Sequence, residues 1–360
     1  MESSDATLEL QDGTSFSGEA FGDFKPTAGE VVFNTGMVGY PESLTDPSYC
    51  GQILVLTYPL VGNYGVPAGG VDHLGLPKNF ESDRIQVAGL VVATLSRDYS
   101  HHAAVQSLHE WLEEEGVPGL TGVDTRHITK RLRARGVMPG RLVDGSGTVE
   151  FEDPNTRDLA GDVCSSETCF YNEGGGPRVA VIDAGVKTSI LRSLALRGFE
   201  VARVPYTSDP MALEPAAVVA GNGPGDPEMY PQAVESMRAA LESDIPVMGI
   251  CLGNQLMGLA TGGRTFKLTY GHRSQNQPAV ETGTGRCYIT SQNHGFVVDV
   301  DSLPGEWDVW FTNANDGSCE GIRREDGLAW AVQFHPEARP GPTDTDHLFD
   351  RFAELVKGRS

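Results

Sequence analysis

Two short segments of the chain combine residue types that can together perform thiol chemistry. The first, Gly249-Ile-Cys-Leu-Gly253, follows an apolar run that ends at residue 250 and opens into a helix-like segment. A reactive residue between glycines at a strand-to-helix turn is the arrangement of a nucleophile elbow, which holds Cys251 at the carboxyl end of the strand. The N–H groups at the start of the following helix favour the thiolate over the thiol.

The second segment, His335-Pro336-Glu337, supplies a base and an acid. It ends another apolar run, residues 328–334, which predicts a buried strand. Residues two apart on an extended chain point the same way, so His335 and Glu337 can form an ordered imidazole–carboxylate pair. A cysteine, a histidine and an orienting acid are the three parts of a thiol acyl-transfer site.

Each segment alone also has an ordinary structural interpretation. A free cysteine is most often a small buried hydrophobe, and His-Pro-Glu can also form an exposed turn. The conjunction of both segments at the ends of two strands, in sheet order, favours a catalytic site over these readings.

The carboxyl-terminal half, residues 178–360, alternates strands and helices. Its expected elements are strands at 178–182, 200–204, 216–220 and 245–250, and helices at 187–197, 229–242, 254–261 and 345–357. This alternation predicts an α/β fold with a doubly wound, mostly parallel sheet, whose active residues lie at the carboxyl ends of the strands.

The leading part, residues 1–150, is organised differently. Short apolar runs broken by glycine and proline predict a mixed β/α domain with strands at 8–10, 30–33, 52–57 and 89–93, and helices at 103–115 and 124–133. Residues 151–177 are polar, acidic and rich in glycine, which predicts a linker between the two domains.

The composition excludes several classes of function. With 27 basic and 49 acidic side chains, the net charge of −22 disfavours binding to nucleic acid or to an anionic membrane surface. Lysine is scarce beside arginine, and an acidic, lysine-poor surface suits a cytoplasm at high salt, where screening removes self-repulsion. An ordinary acidic cytosolic enzyme is the alternative interpretation.

The cysteines and the amino terminus indicate the compartment. Six cysteines show no close Cys-x-x-Cys pairing, so they are predicted to be thiols, and no metal site is expected. The first residues lack the basic and apolar regions of a signal peptide, and no apolar run reaches membrane-spanning length. We therefore expect a soluble, cytoplasmic protein.

Two glycine-rich segments match phosphate-binding loops only in part. In residues 221–227, Asp226 stands where the third glycine of a dinucleotide fingerprint belongs. In residues 184–188, Val186 precedes the lysine where a P-loop requires glycine. Neither segment therefore predicts a nucleotide site.

The carboxyl-terminal half resembles the class I glutamine amidotransferases, because Asn222-Gly-Pro-Gly-Asp-Pro227, Gly249-Ile-Cys-Leu-Gly253 and His335-Pro-Glu337 occur in that family's order and spacing. The whole chain is similar to the small subunits of carbamoyl phosphate synthetase. The segments that carry this second likeness are Gly29-Glu-Val-Val-Phe-Asn-Thr35, Gly39-Tyr40, Leu44-Thr-Asp-Pro-Ser-Tyr49, Leu56-Thr-Tyr-Pro59, Gly62-Asn63, Gln292-Asn-His-Gly-Phe296, Pro340-Gly-Pro342 and Leu348-Phe-Asp350.

The resemblance implies a role for each residue of the site. Cys251 would attack the side-chain amide of glutamine, His335 would pass the proton to departing ammonia, and Glu337 would orient the imidazole. Backbone N–H groups of Leu252 and of the turn at 223–225 would hold the oxyanion. The glutamine-binding positions that match the family are Ser48, Gly223, Gly225, Leu252, Gln255, Asn293, Gly295 and Phe296. Since Ser48 belongs to the leading domain, the resemblance implies a site against the domain interface.

The resemblance also implies a partner. The large subunit of carbamoyl phosphate synthetase would use ATP, with Mg²⁺, to make carbamoyl phosphate for arginine and pyrimidine biosynthesis, and no cofactor is expected in this chain. Three positions depart from the family pattern: Asn254 replaces the histidine usual after Cys-Leu-Gly, and Gly36 and Gly221 stand where serine is common.

Three other functions stay open at this point. They are an amidotransferase subunit of another synthase, a thiol hydrolase of peptides or γ-glutamyl conjugates, and a catalytically silent regulatory module. Residues 1–150 argue against the first, since other amidotransferases attach the triad domain to unrelated synthase modules. The joint presence of Cys251, His335 and Glu337 argues against the last.

Overall fold

The computed structural model describes residues 5–145 and 147–359, which divide into two compact units. The first unit comprises the chain up to Gly70 together with Pro77–Thr156. The second comprises Val71–Leu76 and the chain from Arg157 onward. The short segment belongs to the second unit because Leu76 is buried in its core and Asp72 pairs with Arg192 at 2.9 Å.

The first unit is built on a closed barrel of mixed strand direction. Its strands are β1 (Asp5–Leu10), β2 (Ser15–Gly22), β3 (Thr27–Asn34), β4 (Gln52–Val61), β5 (Val66–Pro67), β6 (Gly89–Leu95), β7 (Ala104–Gln106), β8 (Pro118–Thr121) and β9 (Met138–Val143). The barrel order is β1-β2-β8-β6-β4-β3-β9, with parallel pairing from β3 through β4 and β6 to β8. Strands β5 and β7 form a separate small sheet.

One helix of the first unit begins later than the sequence predicts, and the short first helix was not expected. They are α1 (Tyr40–Leu44), α2 (Leu108–Glu114) and α3 (Thr125–Arg135), with 3₁₀ turns at Pro47–Tyr49 and Pro154–Thr156. The helix expected over 103–115 begins only at Leu108, because Ser107 and Glu110 form a capping box there. Val105, which fits the helical period, instead lies exposed on β7.

The second unit is built around a large mixed sheet. Its strands are β10 (Cys169–Tyr171), β11 (Arg178–Asp183), β12 (Glu200–Pro205), β13 (Ala217–Ala220), β14 (Val247–Ile250), β15 (Arg264–Glu281), β16 (Cys287–Asp299), β17 (Trp307–Asn313), β18 (Cys319–Arg324) and β19 (Ala329–Val332). Their order is β10-β12-β11-β13-β14-β19-β18-β17-β15-β16. The α/β class is confirmed; strands β12, β11, β13, β14 and β19 are parallel, and the others join by antiparallel pairing.

Helices cover both faces of the parallel strands. They are α4 (Ala160–Val163), α5 (Thr188–Leu196), α6 (Pro231–Glu242), α7 (Leu252–Ala260) and α8 (His347–Lys357), with 3₁₀ turns at Pro210–Leu213, Pro227–Met229 and Val300–Ser302. Helices α5 and α8 pack in one apolar core, and α6 and α7 pack in the other. Because both faces are covered, every residue of β13 and β14 is buried, which explains their unbroken apolar sequences.

The segment expected to be a linker, residues 151–177, is largely part of the second unit. It contains α4 and β10, and β10 pairs with β12 at the edge of the sheet. A three-residue edge strand is held by backbone hydrogen bonds and needs no apolar pattern. For this reason β10 could not be predicted from its polar, glycine-rich sequence surroundings. No helix within 5–145 and 147–359 is long and apolar enough to cross a membrane.

Candidate active site

Cys251 lies at the carboxyl end of β14 and caps the amino terminus of α7 with a φ of 56°. A positive φ with a ψ of −102° is strained for a residue with a side chain. The turn also brings Gly253 very close to the backbone of β13. A Cβ placed on Gly253 would lie 2.2 Å from the carbonyl oxygen of Ala220, so only glycine fits. The elbow therefore depends on glycine, and it holds Cys251 with 2% of its surface exposed.

His335 and Glu337 follow β19, the parallel neighbour of β14 in the sheet. Nδ1 of His335 donates to Oε1 of Glu337 at 2.7 Å, and both side chains are buried. Nε2 of His335 finds no hydrogen-bond partner among the described residues. The ends of β14 and β19 thus bring the thiol of Cys251 beside the imidazole of His335. The far nitrogen of this imidazole, Nδ1, is oriented by the carboxylate of Glu337.

The electrostatics of the site keep both members of this pair charged. Burial opposes charge on His335, but Glu337 and Cys251 outweigh it and raise the pKa of the imidazole to about 10. Burial likewise opposes ionisation of Glu337, yet the cations of Lys187 and His335 lower its pKa to about 2. A protonated imidazole next to a thiol can leave the sulfur as a thiolate and act as the acid in a later step.

Lys187 is a member of the site that sequence reasoning missed. Its Nζ donates to Oε1 of Glu337 at 2.9 Å and to the carbonyl oxygen of Ala338 at 2.8 Å. The sequence interpretation treated this lysine only as the end of an incomplete P-loop. A usable signal existed, because Lys187 follows a parallel strand, β11, and therefore lies at the same sheet edge as the other strand ends.

Two predicted glutamine-binding residues lie on the turn after β13. Gly223 packs against the start of α7, since a Cβ there would lie 2.7 Å from Cδ2 of Leu252 and 2.4 Å from the carbonyl oxygen of Ala184. Gly225 has a φ of 75°, which favours glycine. Leu252 is the first residue of α7, so its N–H has no acceptor within the helix. The turn and the helix start therefore bring backbone N–H groups close to Cys251.

Strand β16 supplies the other predicted residues of the second unit. Sγ of Cys251 lies 3.6 Å from the carbonyl oxygen of Asn293, to which the thiol donates. Nε2 of Gln255 donates to the carbonyl oxygen of Phe296 at 2.8 Å, with Gly295 between these strand residues. The structure thus gathers the predicted residues of this unit around one helix start.

Ser48 lies in the first unit, within the 3₁₀ turn Pro47–Tyr49. It is buried, and its N–H donates to Oδ1 of Asp46 at 2.9 Å. Because Asp46 caps the turn in this way, the position of Ser48 within its own unit is fixed by local hydrogen bonds.

A buried polar cluster lies behind Asn293, where His272, His294 and Glu320 bring ligand-type atoms within 4.8 Å of one another. Nε2 of His272 contacts Oδ2 of Asp316 at 2.9 Å, and its Nδ1 lies 3.4 Å from Oε1 of Glu320. Burial lowers the pKa of His272, but the two carboxylates outweigh it and raise that pKa. The ring of His272 therefore contacts one carboxylate through each of its nitrogens.

Two known protein families match this chain, each over a different part. The family described as "Glutamine amidotransferase class-I" matches residues 180–355, and "Carbamoyl-phosphate synthase small chain, CPSase domain" matches residues 8–142. The second half is therefore a class I glutamine amidotransferase domain. The chain as a whole belongs to the family of carbamoyl-phosphate synthase small chains.

Relatives of two architectures support this membership. The "Carbamoyl phosphate synthase arginine-specific small chain" of Aspergillus clavatus is 47% identical over 98% of this chain and 79% of its own length. The "Multifunctional protein CAD" of Squalus acanthias is 48% identical, and "Multifunctional protein pyr1-3" of Dictyostelium discoideum is 46% identical. Both matches include 98% of this chain, but they span only 16% and 17% of the length of those two proteins.

Proposed function

We propose that this chain is the glutamine-hydrolysing subunit of a carbamoyl phosphate synthase. It releases ammonia from L-glutamine and delivers it to a large subunit that makes carbamoyl phosphate from bicarbonate and ATP, for arginine and pyrimidine biosynthesis. The observation that supports this most is the meeting of Cys251, His335 and Glu337 at the ends of adjacent strands. Family membership supports the same reaction, with relatives named as an arginine-specific carbamoyl phosphate synthase small chain and as a multifunctional protein.

The proposed reaction assigns one step to each residue. The thiolate of Cys251 attacks the amide carbon of glutamine, and the oxyanion is held by N–H groups of Leu252 and the 223–225 turn. Protonated His335 gives its proton to the leaving nitrogen, ammonia departs, and a thioester remains. His335 then takes a proton from water, which hydrolyses the thioester to glutamate and restores the thiolate. Glu337 orients His335 throughout.

Substrate binding is assigned to residues around the same helix start and to Ser48 of the first unit. Backbone and side-chain groups of this set would hold the amino-acid end of glutamine and place its amide at Cys251. The proposed set is Ser48, Gly223, Gly225, Leu252, Gln255, Asn293, Gly295 and Phe296. No cofactor is assigned to this chain; ATP and Mg²⁺ are assigned to the large subunit, because the reaction with bicarbonate requires phosphoryl transfer.

The coupling of the two subunits is tested by measuring glutamine hydrolysis with and without the large subunit. We expect weak hydrolysis by the isolated chain and a strong increase when the large subunit turns over ATP and bicarbonate, because a partner can shift the site toward its competent conformation. Ammonia-dependent synthesis by the large subunit alone is the control. Full hydrolysis by the isolated chain, unchanged by the partner, would instead indicate a free-standing hydrolase.

The acidic surface carries a further proposal, that the chain works in the cytoplasm of a cell at high internal salt. With a net charge of −22, repulsion between like charges should weaken as salt screens it. We expect the melting temperature to rise from low to molar potassium chloride. Sucrose, which is excluded from protein surfaces but screens no charge, serves as control. A flat or falling melting temperature in potassium chloride contradicts this proposal.

A further inference from the structure

Gln333, the residue directly after β19, has its side chain against the elbow. Its Nε2 lies 3.3 Å from the carbonyl oxygen of Cys251 and 3.8 Å from Sγ of the same residue, and donates toward both. Its backbone N–H is fixed by the carbonyl oxygen of Glu320 at 2.8 Å. Gln333 is completely buried, so water does not compete for these contacts.

Asn254, in the first turn of α7, acts together with the backbone carbonyl of Cys251 to fix which end of the Gln333 amide faces the sulfur. Its Nδ2 donates to Oε1 of Gln333 at 3.1 Å, and Asn254 is also completely buried. Because Oε1 is engaged by a donor, the amide group must present its N–H₂ end to Cys251. This is the position where the sequence departs from the histidine usual in the family.

An amide donor at this place acts differently on the two forms of the thiol. A neutral thiol is a weak acceptor, whereas an N–H group directed at a charged sulfur makes a charge-assisted hydrogen bond. The charged and titratable groups near this thiol include His294 on β16, next to Asn293 whose carbonyl contacts Sγ, and His335 after β19. Lys187 after β11 contacts Glu337, the partner of His335.

We propose that Gln333 is a positioning residue that stabilises the Cys251 thiolate through its amide N–H₂, and that Asn254 sets the orientation of that amide. This inference rests on the proposed function, in which Cys251 is the nucleophile. The inference gives a defined role to Asn254, which replaces the histidine usual at this position. Asparagine and histidine can both donate an N–H to Oε1 of Gln333.

The test is the pH dependence of Cys251 alkylation by iodoacetamide, followed for each cysteine by mass spectrometry on the full chain. Cys251 is nearly buried, but a site that admits glutamine also admits this smaller amide. We expect Gln333→Met, which keeps the volume without the donor, to raise the midpoint of the profile by about one pH unit. Exposed Cys287 provides the internal reference and should keep its midpoint in every variant.

Two substitutions at Asn254 separate orientation from packing. In Asn254→Asp the carboxylate can only accept, so the Gln333 amide should turn its N–H₂ away from the sulfur and the midpoint should rise as in Gln333→Met. Asn254→His keeps a donor and should keep the wild-type midpoint. In the assembled enzyme, Gln333→Met and Asn254→Asp should lower kcat for glutamine more than they change KM.

The outcomes separate this inference from the proposed function. If Asn254→Asp and Asn254→His behave alike, or if folded Gln333→Met keeps the wild-type midpoint, the orientation role of this pair is wrong while Cys251 remains the nucleophile. If Gln333→Met does not fold, the two Asn254 variants decide the question. If wild-type Cys251 reacts no faster than Cys287 at neutral pH and the assembled enzyme hydrolyses no glutamine, the proposed function itself fails.

Discussion

Replacing Cys251 with alanine is expected to abolish glutamine-dependent synthesis of carbamoyl phosphate by the assembled enzyme while preserving synthesis from ammonia. The loss should be roughly 10⁴-fold or more, because the covalent route disappears with the thiol. The elbow around Cys251 should survive, since alanine removes one atom from a side chain whose backbone is held by neighbouring glycines. Both rates are measured on the same preparation with glutamine or ammonium chloride as the nitrogen donor.

A matched control is available among the other thiols. Cys287→Ala changes an exposed cysteine and should leave both rates unaltered. Equal loss with both nitrogen donors in Cys251→Ala would show a defect in assembly rather than in glutamine chemistry. Retained glutamine-dependent synthesis would mean that another group is the nucleophile.

The second large effect is expected at the imidazole. His335→Asn should lower glutamine hydrolysis by about 10²–10⁴-fold, because a positioned acid–base group is lost from both the acylation and the hydrolysis steps. Glu337→Gln should lower it less, since Glu337 orients the ring but transfers no proton. The comparison is made from kcat for glutamine in the assembled enzyme, with ammonia-dependent synthesis as the reference.

Because Lys187 is a buried cation paired with Glu337, Glu337→Gln should also affect the stability of the fold. Glu337→Gln leaves Lys187 without its carboxylate, which should cost about 3–5 kcal/mol as judged from broken buried ion pairs. Adding Lys187→Met removes the unpaired charge and should recover much of the melting temperature without recovering activity. Activity lower in folded Glu337→Gln than in His335→Asn would require the roles of the two residues to be exchanged.

The parallel part of the sheet and the position of the thiol were predictable because both follow from local pattern. Strands such as β13 and β14 are short apolar runs, and the glycines at 249 and 253 mark the turn at Cys251. Since parallel strands end at one edge, His335 could be expected near Cys251 without any knowledge of the intervening residues.

The antiparallel extension and the lysine were not predictable in the same way. Strand β15 is long and mostly exposed or half-exposed, whereas β16 is mostly buried but carries a run of buried polar residues, 290–294, in its middle. Neither sequence shows a regular apolar strand period, and the two strands are stabilised by pairing with each other. Lys187 contacts Glu337 across 150 positions of sequence. The place of Lys187 after β11 indicates the sheet edge at which it lies, but its contact with Glu337 depends on the order of the strands, which no local pattern encodes.

The place of β19 in the sheet also has a consequence for how the active site forms while the chain is synthesised and folds. This strand pairs with both β14 and β18, and 82 positions separate Cys251 from Gln333, so the thiol gains its base only when a late-synthesised strand inserts beside an early one. Such distant pairing is slow compared with local folding, and chains emerge from the ribosome amino terminus first. A nascent or half-folded chain therefore carries the Cys251 thiol without His335 beside it. Under the proposed mechanism, this topology delays the onset of ammonia release until the domain is complete.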